Sequence, residues 1–225
     1  MSGVAKIYDT TLEPSKEAVV AEWITGQPWY RGGATPTLTK VGAFRFVDPE
    51  GEVGMETLLL REQDAGPDAP TYQVPVTYRS DLIPGVEPIG SLKHGVLGLR
   101  YVNDGALAPR YLAELIRVVL TGDDQAELST GEPATVTVRG SGRAEIERVT
   151  MRKWRATADA EGDDIHCEVD IDGRGRSFDV RLPRQLGEII LVGSADGELA
   201  HTLDARWVED SGAERSATLA VVRAR

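Results

Sequence analysis

Three histidines, one cysteine and a scatter of carboxylates are the groups here that could make or break bonds, and their spacing limits the chemistry open to them. His94, His166 and His201 stand far apart, and none has a second His or a Cys at metal-ligand spacing. Cys167 follows His166 directly, but adjacent strand residues point to opposite faces, so the pair cannot share an ion. No metal site is therefore expected. In Ile165-His166-Cys167-Glu168-Val169-Asp170-Ile171 the apolar residues alternate with polar ones, which puts Cys167 on the buried face of a strand. Burial raises a thiol pKa and removes its nucleophilicity. No Gly-x-Ser-x-Gly elbow occurs. Gly140-Ser141-Gly142-Arg143 lacks the Gly-Lys-Ser/Thr end that holds phosphates, and reads as a flexible hairpin. The acidic pairs Asp123-Asp124 and Asp163-Asp164 lie in turn-like stretches and read as solvent-facing. No catalytic residue and no cofactor are expected. The enzyme alternative is a hydrolase or transferase whose distant carboxylates converge in the fold.

Two stretches carry recognition chemistry instead. Trp29, Tyr30 and Arg31 lie in a loop flanked by Gly26, Gly32 and Gly33, and His94, Arg100 and Asp104 lie near a second glycine-rich stretch. Aromatic faces with planar Arg and Asp groups suit sugar rings and protein partners alike. These six residues are the candidate ligand or partner contacts. The alternative is that Trp29 and Tyr30 staple the first helix to a sheet.

The elements that must position them follow from periodicity. A helix is expected over Glu13–Ile24, with Pro14 in its first turn and Gly26 and Pro28 stopping it. Val41–Val47 and Glu52–Arg61 form a hairpin around the turn Asp48-Pro49-Glu50-Gly51. Tyr72, Val74, Val76 and Tyr78 alternate with polar residues, and Pro75 marks their strand as an edge or a bulge. A further strand lies within Ile89–Val102. A second helix runs from about Ala108 to Thr121, with Leu112, Leu115, Ile116, Val119 and Leu120 on one stripe. These elements predict an α+β layer, an antiparallel sheet with two packed helices on one side, over about residues 1–128. The polar stretch 123–133 reads as a linker. Beyond it, turn signals at 160–164, 172–175, 194–197 and 210–214 divide residues 134–225 into about six short strands, the pattern of a small antiparallel barrel or sandwich.

Composition bounds the function classes. The chain has 225 residues and a formal net charge of −11, with acidity in both halves. Phosphate backbones and anionic membranes repel such a surface, so neither nucleic acid nor membrane is an expected partner. With one cysteine no intrachain disulfide can form, and no apolar leader stands at the start, which fits a cytoplasmic location.

Residues 1–130 resemble the N-terminal cap domain of actinobacterial maltokinases and related aminosugar kinases. The resemblance rests on Gln27-Pro28-Trp29-Tyr30, Val41-Gly42-Ala43-Phe44-Arg45-Phe46, the run Asp48 to Leu59, Tyr72 to Arg79 and Ile89 to Gly98. It also extends to stand-alone cap-like proteins associated with α-glucan branching. The kinases carry their chemistry after the cap, in lobes with a phosphate loop and a His-x-Asp catalytic loop. Here residues after Pro133 read as strands and turns, and His201-Thr202-Leu203-Asp204 has the wrong spacing for that loop. The resemblance implies a cap fold and a metabolic neighbourhood, and it transfers no catalytic residue. The expected function is a non-catalytic accessory or interaction protein of α-glucan, maltose or trehalose metabolism, docking to an enzyme or to itself. The alternative is a small-ligand or carbohydrate-binding module using the Trp29/Tyr30/Arg31 loop.

Overall fold

A computed structural model of the chain describes residues 3–63, 65–66, 69–187, 200–209 and 211–225. In chain order the first half comprises β1 (Val4–Ala5), β2 (Leu12–Glu13), α1 (Lys16–Ile24), β3 (Leu38–Val47), β4 (Gly54–Glu62), β5 (Thr71–Arg79), β6 (Gly90–His94), β7 (Gly98–Asp104) and α2 (Pro109–Thr121). A 3-10 turn, Gly105–Leu107, links β7 to α2. Then follow β8 (Glu127–Leu128), β9 (Val136–Gly140), β10 (Val149–Ala158), β11 (Gly162–Ile171), β12 (Arg174–Pro183), β13 (Gln185–Leu186), β14 (Ala200–Val208) and β15 (Glu214–Ala224).

The first sheet runs β2-β6-β7-β5-β4-β3, with β13 added beside β5, and the second runs β10-β11-β12-β15-β14-β9. β1 and β8 make a short parallel pair. Helix α1 starts where the Ser15 hydroxyl accepts from the Ala18 N–H, which satisfies one free donor of the first turn. It packs Val19, Val20 and Ile24 onto one face of the first sheet, against Leu58, Leu60, Val74 and Val76. Helix α2 has Pro109 at its start and ends at Gly122, which takes the left-handed conformation (φ 71°) that glycine adopts without strain. It lies against the opposite face, on Phe44, Phe46, Met55 and Leu59, and its other side meets the second sheet through Val136, Val138 and Leu203.

The architecture corrects the expected fold class. Among the described residues about half are strand and 12% helix, in three sheets. The two helices lie on opposite faces of the first sheet, and the second sheet is a single six-stranded layer, neither small nor a barrel or sandwich. Central strands β4 and β5 are buried on both faces, so their side chains are covered in an unbroken run. A period-2 reading credits a strand with one covered face. Strand β5 is also interior. Pro75 sits where its outer side lacks a paired strand, because β7 covers residues 76–79 and β13 covers 71–72. The missing N–H therefore breaks no ladder.

Gly140-Ser141-Gly142 is no flexible hairpin. It lies along the end of α2, where the Gly142 N–H donates to Val119 O (2.9 Å) and the Ala144 N–H to Leu120 O (2.9 Å). These bonds satisfy helix carbonyls that have no partner within the helix. The turn expected at 194–197 lies outside the described residues, as does Asp210 of the turn expected at 210–214.

Candidate functional site

Helix α1 covers only part of its sheet face. The rest forms a cleft of about 430 Å³. On alternating strand positions the residues facing this side include Arg45 and Glu56, opposite each other on β3 and β4, Tyr78 on β5, Leu92 and His94 on β6, and Arg100 opposite Leu92 on β7. Lys16, the first residue of α1, enters from the helix. The segment from β1 to β2 closes one wall. It is tied down by the β1–β8 and β2–β6 pairings, by the Ile7 N–H on Ser129 Oγ (2.8 Å), and by Tyr8, whose ring meets His94 edge-on at 5.4 Å.

The centre of the cleft is a charge cluster. Glu56 accepts from Lys16 Nζ (2.5 Å) and the Tyr78 hydroxyl (2.9 Å), and Arg45 lies 3.1 Å away. Burial alone would raise the Glu56 carboxyl, but Arg45 and Lys16 outweigh it and hold the pKa below the ordinary range. Burial lowers the Lys16 pKa in spite of Glu56, and burial together with Glu56 pushes the Tyr78 phenol up. His94 Nδ1 accepts from the backbone N–H groups of Val96 (3.2 Å) and Leu97 (3.1 Å), so its proton belongs on Nε2. Burial, then the positive charges of Arg100 and Lys16, lower the His94 pKa. The imidazole is thus neutral at physiological pH, with one N–H to donate.

A second cluster joins the halves of the chain. Arg184 is fully buried; it donates to both carboxylate oxygens of Asp104 (2.6 Å each) and, through Nε, to Asp163. Its Nη1 has no hydrogen-bond acceptor among the described residues, but the Trp29 ring lies 5.1 Å from the guanidinium carbon and the Trp23 ring 6.0 Å. The cation therefore sits against indole faces where the two N–H donors of Nη1 lack a bond. Asp163 was expected to face solvent and instead points inward, because Arg184 draws it in. Burial and then the Asp104 charge raise its pKa despite Arg184.

The six candidate contacts separate into two places. Trp29 is fully buried and packs on Trp23 and Tyr72, with Arg184 over its face. The Tyr30 hydroxyl donates to Glu62 (3.2 Å), and its ring packs at a tilt against Tyr72, with centroids 5.3 Å apart. Arg31 donates to the carbonyls of Pro28 (2.9 Å) and Ala160 (3.1 Å). Asp104 belongs to the Arg184 cluster. Only His94 and Arg100 line the cleft. Sequence reasoning missed Lys16, Arg45, Glu56, Tyr78 and Arg184. The hairpin turn fixes the register that brings Arg45 opposite Glu56, so that pair was within reach. Arg184 meets Asp104 from 80 residues away, with no local signal.

Cys167 lies on the buried face of β11, and burial pushes its thiol up to about 12. Among the described residues no group of three or more His, Cys, Asp and Glu side chains is placed to hold a metal ion, and no helix is long and apolar enough to cross a membrane.

Residues 23–107 match the family model of the maltokinase N-terminal cap domain. The matched stretch runs from the end of α1 through β7 and contains all six candidate contacts, whereas Lys16 and Arg184 lie outside it. No curated protein matches the chain.

Proposed function

We propose that a maltokinase-type cap, carried by residues 23–107, makes this chain a non-catalytic accessory protein of α-glucan, maltose or trehalose metabolism that works by docking on an enzyme of that metabolism. The observation that carries the reading is the β6–β7 hairpin. Within the cap match it exposes Val96 (60%), Leu97 (39%) and Leu99 (53%) in four consecutive positions, Gly98 included. Contiguous exposed apolar side chains are the kind of surface that a protein contact covers. Of the two faces of the cap's sheet, one is covered by α2 and the other in part by α1, which leaves the cleft beside it. The carbohydrate-module alternative has less support at the Trp29 loop, because the indole face that a sugar would need is covered by protein.

The test is co-purification from the chain's own cells. Tagged wild-type protein should recover an α-glucan-metabolising enzyme. Val96→Asp combined with Leu99→Asp should lower that recovery at least tenfold with an unchanged circular dichroism spectrum, since both side chains are solvent-exposed. Equal recovery with the double variant would refute docking through this hairpin.

A further inference from the structure

We propose that the cleft beside α1 binds a small organic anion, a phosphate or carboxylate joined to an apolar or ring-shaped body, with Arg100, Lys16 and Lys6 facing the anionic group and Tyr8, Tyr78 and Leu92 facing the body. This stands independently of the docking reading. In a chain with a net charge of −11, four cations (Lys6, Lys16, Arg45 and Arg100) line one cleft. Such concentration in a concave, partly apolar site focuses positive potential where an anion would sit.

The carboxylates nearby offset only part of it, since Glu56 takes up one charge of Lys16 and Arg45 and leaves Arg100 and Lys6 unpaired. Glu56 is enclosed by Lys16, Arg45 and Tyr78. Asp48 is occupied by the backbone N–H groups of Glu50, Glu52 and Val53 and by Arg110. Glu52 is exposed and lies 3.7 Å from Arg110. Among the described residues neither Arg100 nor Lys6 is ion-paired with a carboxylate; the Lys6 ammonium lies 4.7 Å from the Tyr8 ring instead. Arg100 is half-buried in the cleft wall and has no carboxylate counter-ion among the described residues. A charge in that condition gains from any anion that reaches it. The neutral His94 adds a donor at Nε2. The aromatic and apolar lining, including Leu92 beside Arg100, gives a ligand body something to cover, which a bare inorganic ion lacks.

The test is titration calorimetry with four probes: phenyl phosphate, benzoate, inorganic phosphate and the neutral phenyl β-glucoside. Phenyl phosphate or benzoate should bind, and which of the two binds tighter identifies the anionic group. Inorganic phosphate should bind at least tenfold more weakly than the better of them, and the glucoside should give no heat. Arg100→Gln and, separately, the exposed Lys6→Gln should each weaken the better probe, Arg100→Gln by at least tenfold, and added salt should weaken it in wild type. Binding of the glucoside as tightly as the anions, equal binding of inorganic phosphate, no heat with either aromatic anion, or an unchanged affinity in Arg100→Gln would each overturn the proposal.

Discussion

Replacing Arg184 with alanine should destabilise the fold by about 4 kcal/mol, the range seen when one partner is removed from a buried ion cluster. The physical cause is what remains. Asp104 and Asp163 are both buried, and without the guanidinium they face each other as unpaired carboxylates. The variant also uncovers the Trp29 ring. Urea denaturation monitored by tryptophan fluorescence measures the change; a loss under about 1 kcal/mol, the level of an exposed ion pair, would contradict it. Asp163→Asn should cost much less, because one cation then still balances one carboxylate. The two proteins should also separate with pH in a defined direction. The Asp163 pKa is raised in the fold by burial and by Asp104. An acid of this kind contributes stability that is complete below its unfolded pKa and is lost as pH rises through the folded value. Wild type should therefore lose stability relative to Asp163→Asn between acid and neutral pH.

Replacing Gly142 with alanine should cost about 3 kcal/mol, at the upper end for overpacking, because the obstacle is backbone. A Cβ at this position would stand 2.0 Å from Leu120 O, and one at Gly140 would stand 2.1 Å from Val118 O. Neither carbonyl can move without disturbing the last turn of α2, and the Gly142 and Ala144 N–H bonds to Val119 and Leu120 would be lost with the displacement. Gly175→Ala is the control, since a Cβ there meets nothing within 4 Å. Equal midpoints for the two variants in thermal melts would show that the close approach is not required.

How far the residues reveal the fold depends on whether the deciding contact is local. The α2 stripe Leu112, Leu115, Ile116, Val119 and Leu120 is legible at helical spacing, and all five residues are buried. Tyr111, Ala113, Glu114 and Val118 are buried as well, because a second sheet lies behind the helix, and no stripe reveals a layer formed by strands that follow it. The turn at Asp48–Gly51 is legible from its residues and sets the β3–β4 register. The placement of the helices on opposite faces of the first sheet is written only in the two-sided burial of β4 and β5, where Leu58 and Leu60 face α1 while Met55 and Leu59 face α2. For the candidate site, His94 and Arg100 stood out by type. Their partners come from a helix start, two other strands and the amino-terminal segment, and only the folded sheet brings these together. Trp29 and Asp104 stood out for the same reason, yet they serve the Arg184 cluster, which a distant arginine assembles.

Under the docking proposal the cap acts through its exposed hairpin on an enzyme of α-glucan metabolism. A photo-crosslinking residue in place of Leu99, which is 53% exposed, tests it most directly in living cells. The account predicts a covalent adduct with an α-glucan-metabolising enzyme, absent when the crosslinker replaces Gly175 on the far sheet. Crosslinking at Leu99 that captures no such enzyme, or turnover of maltose, trehalose or glycogen by the purified chain alone, would contradict it.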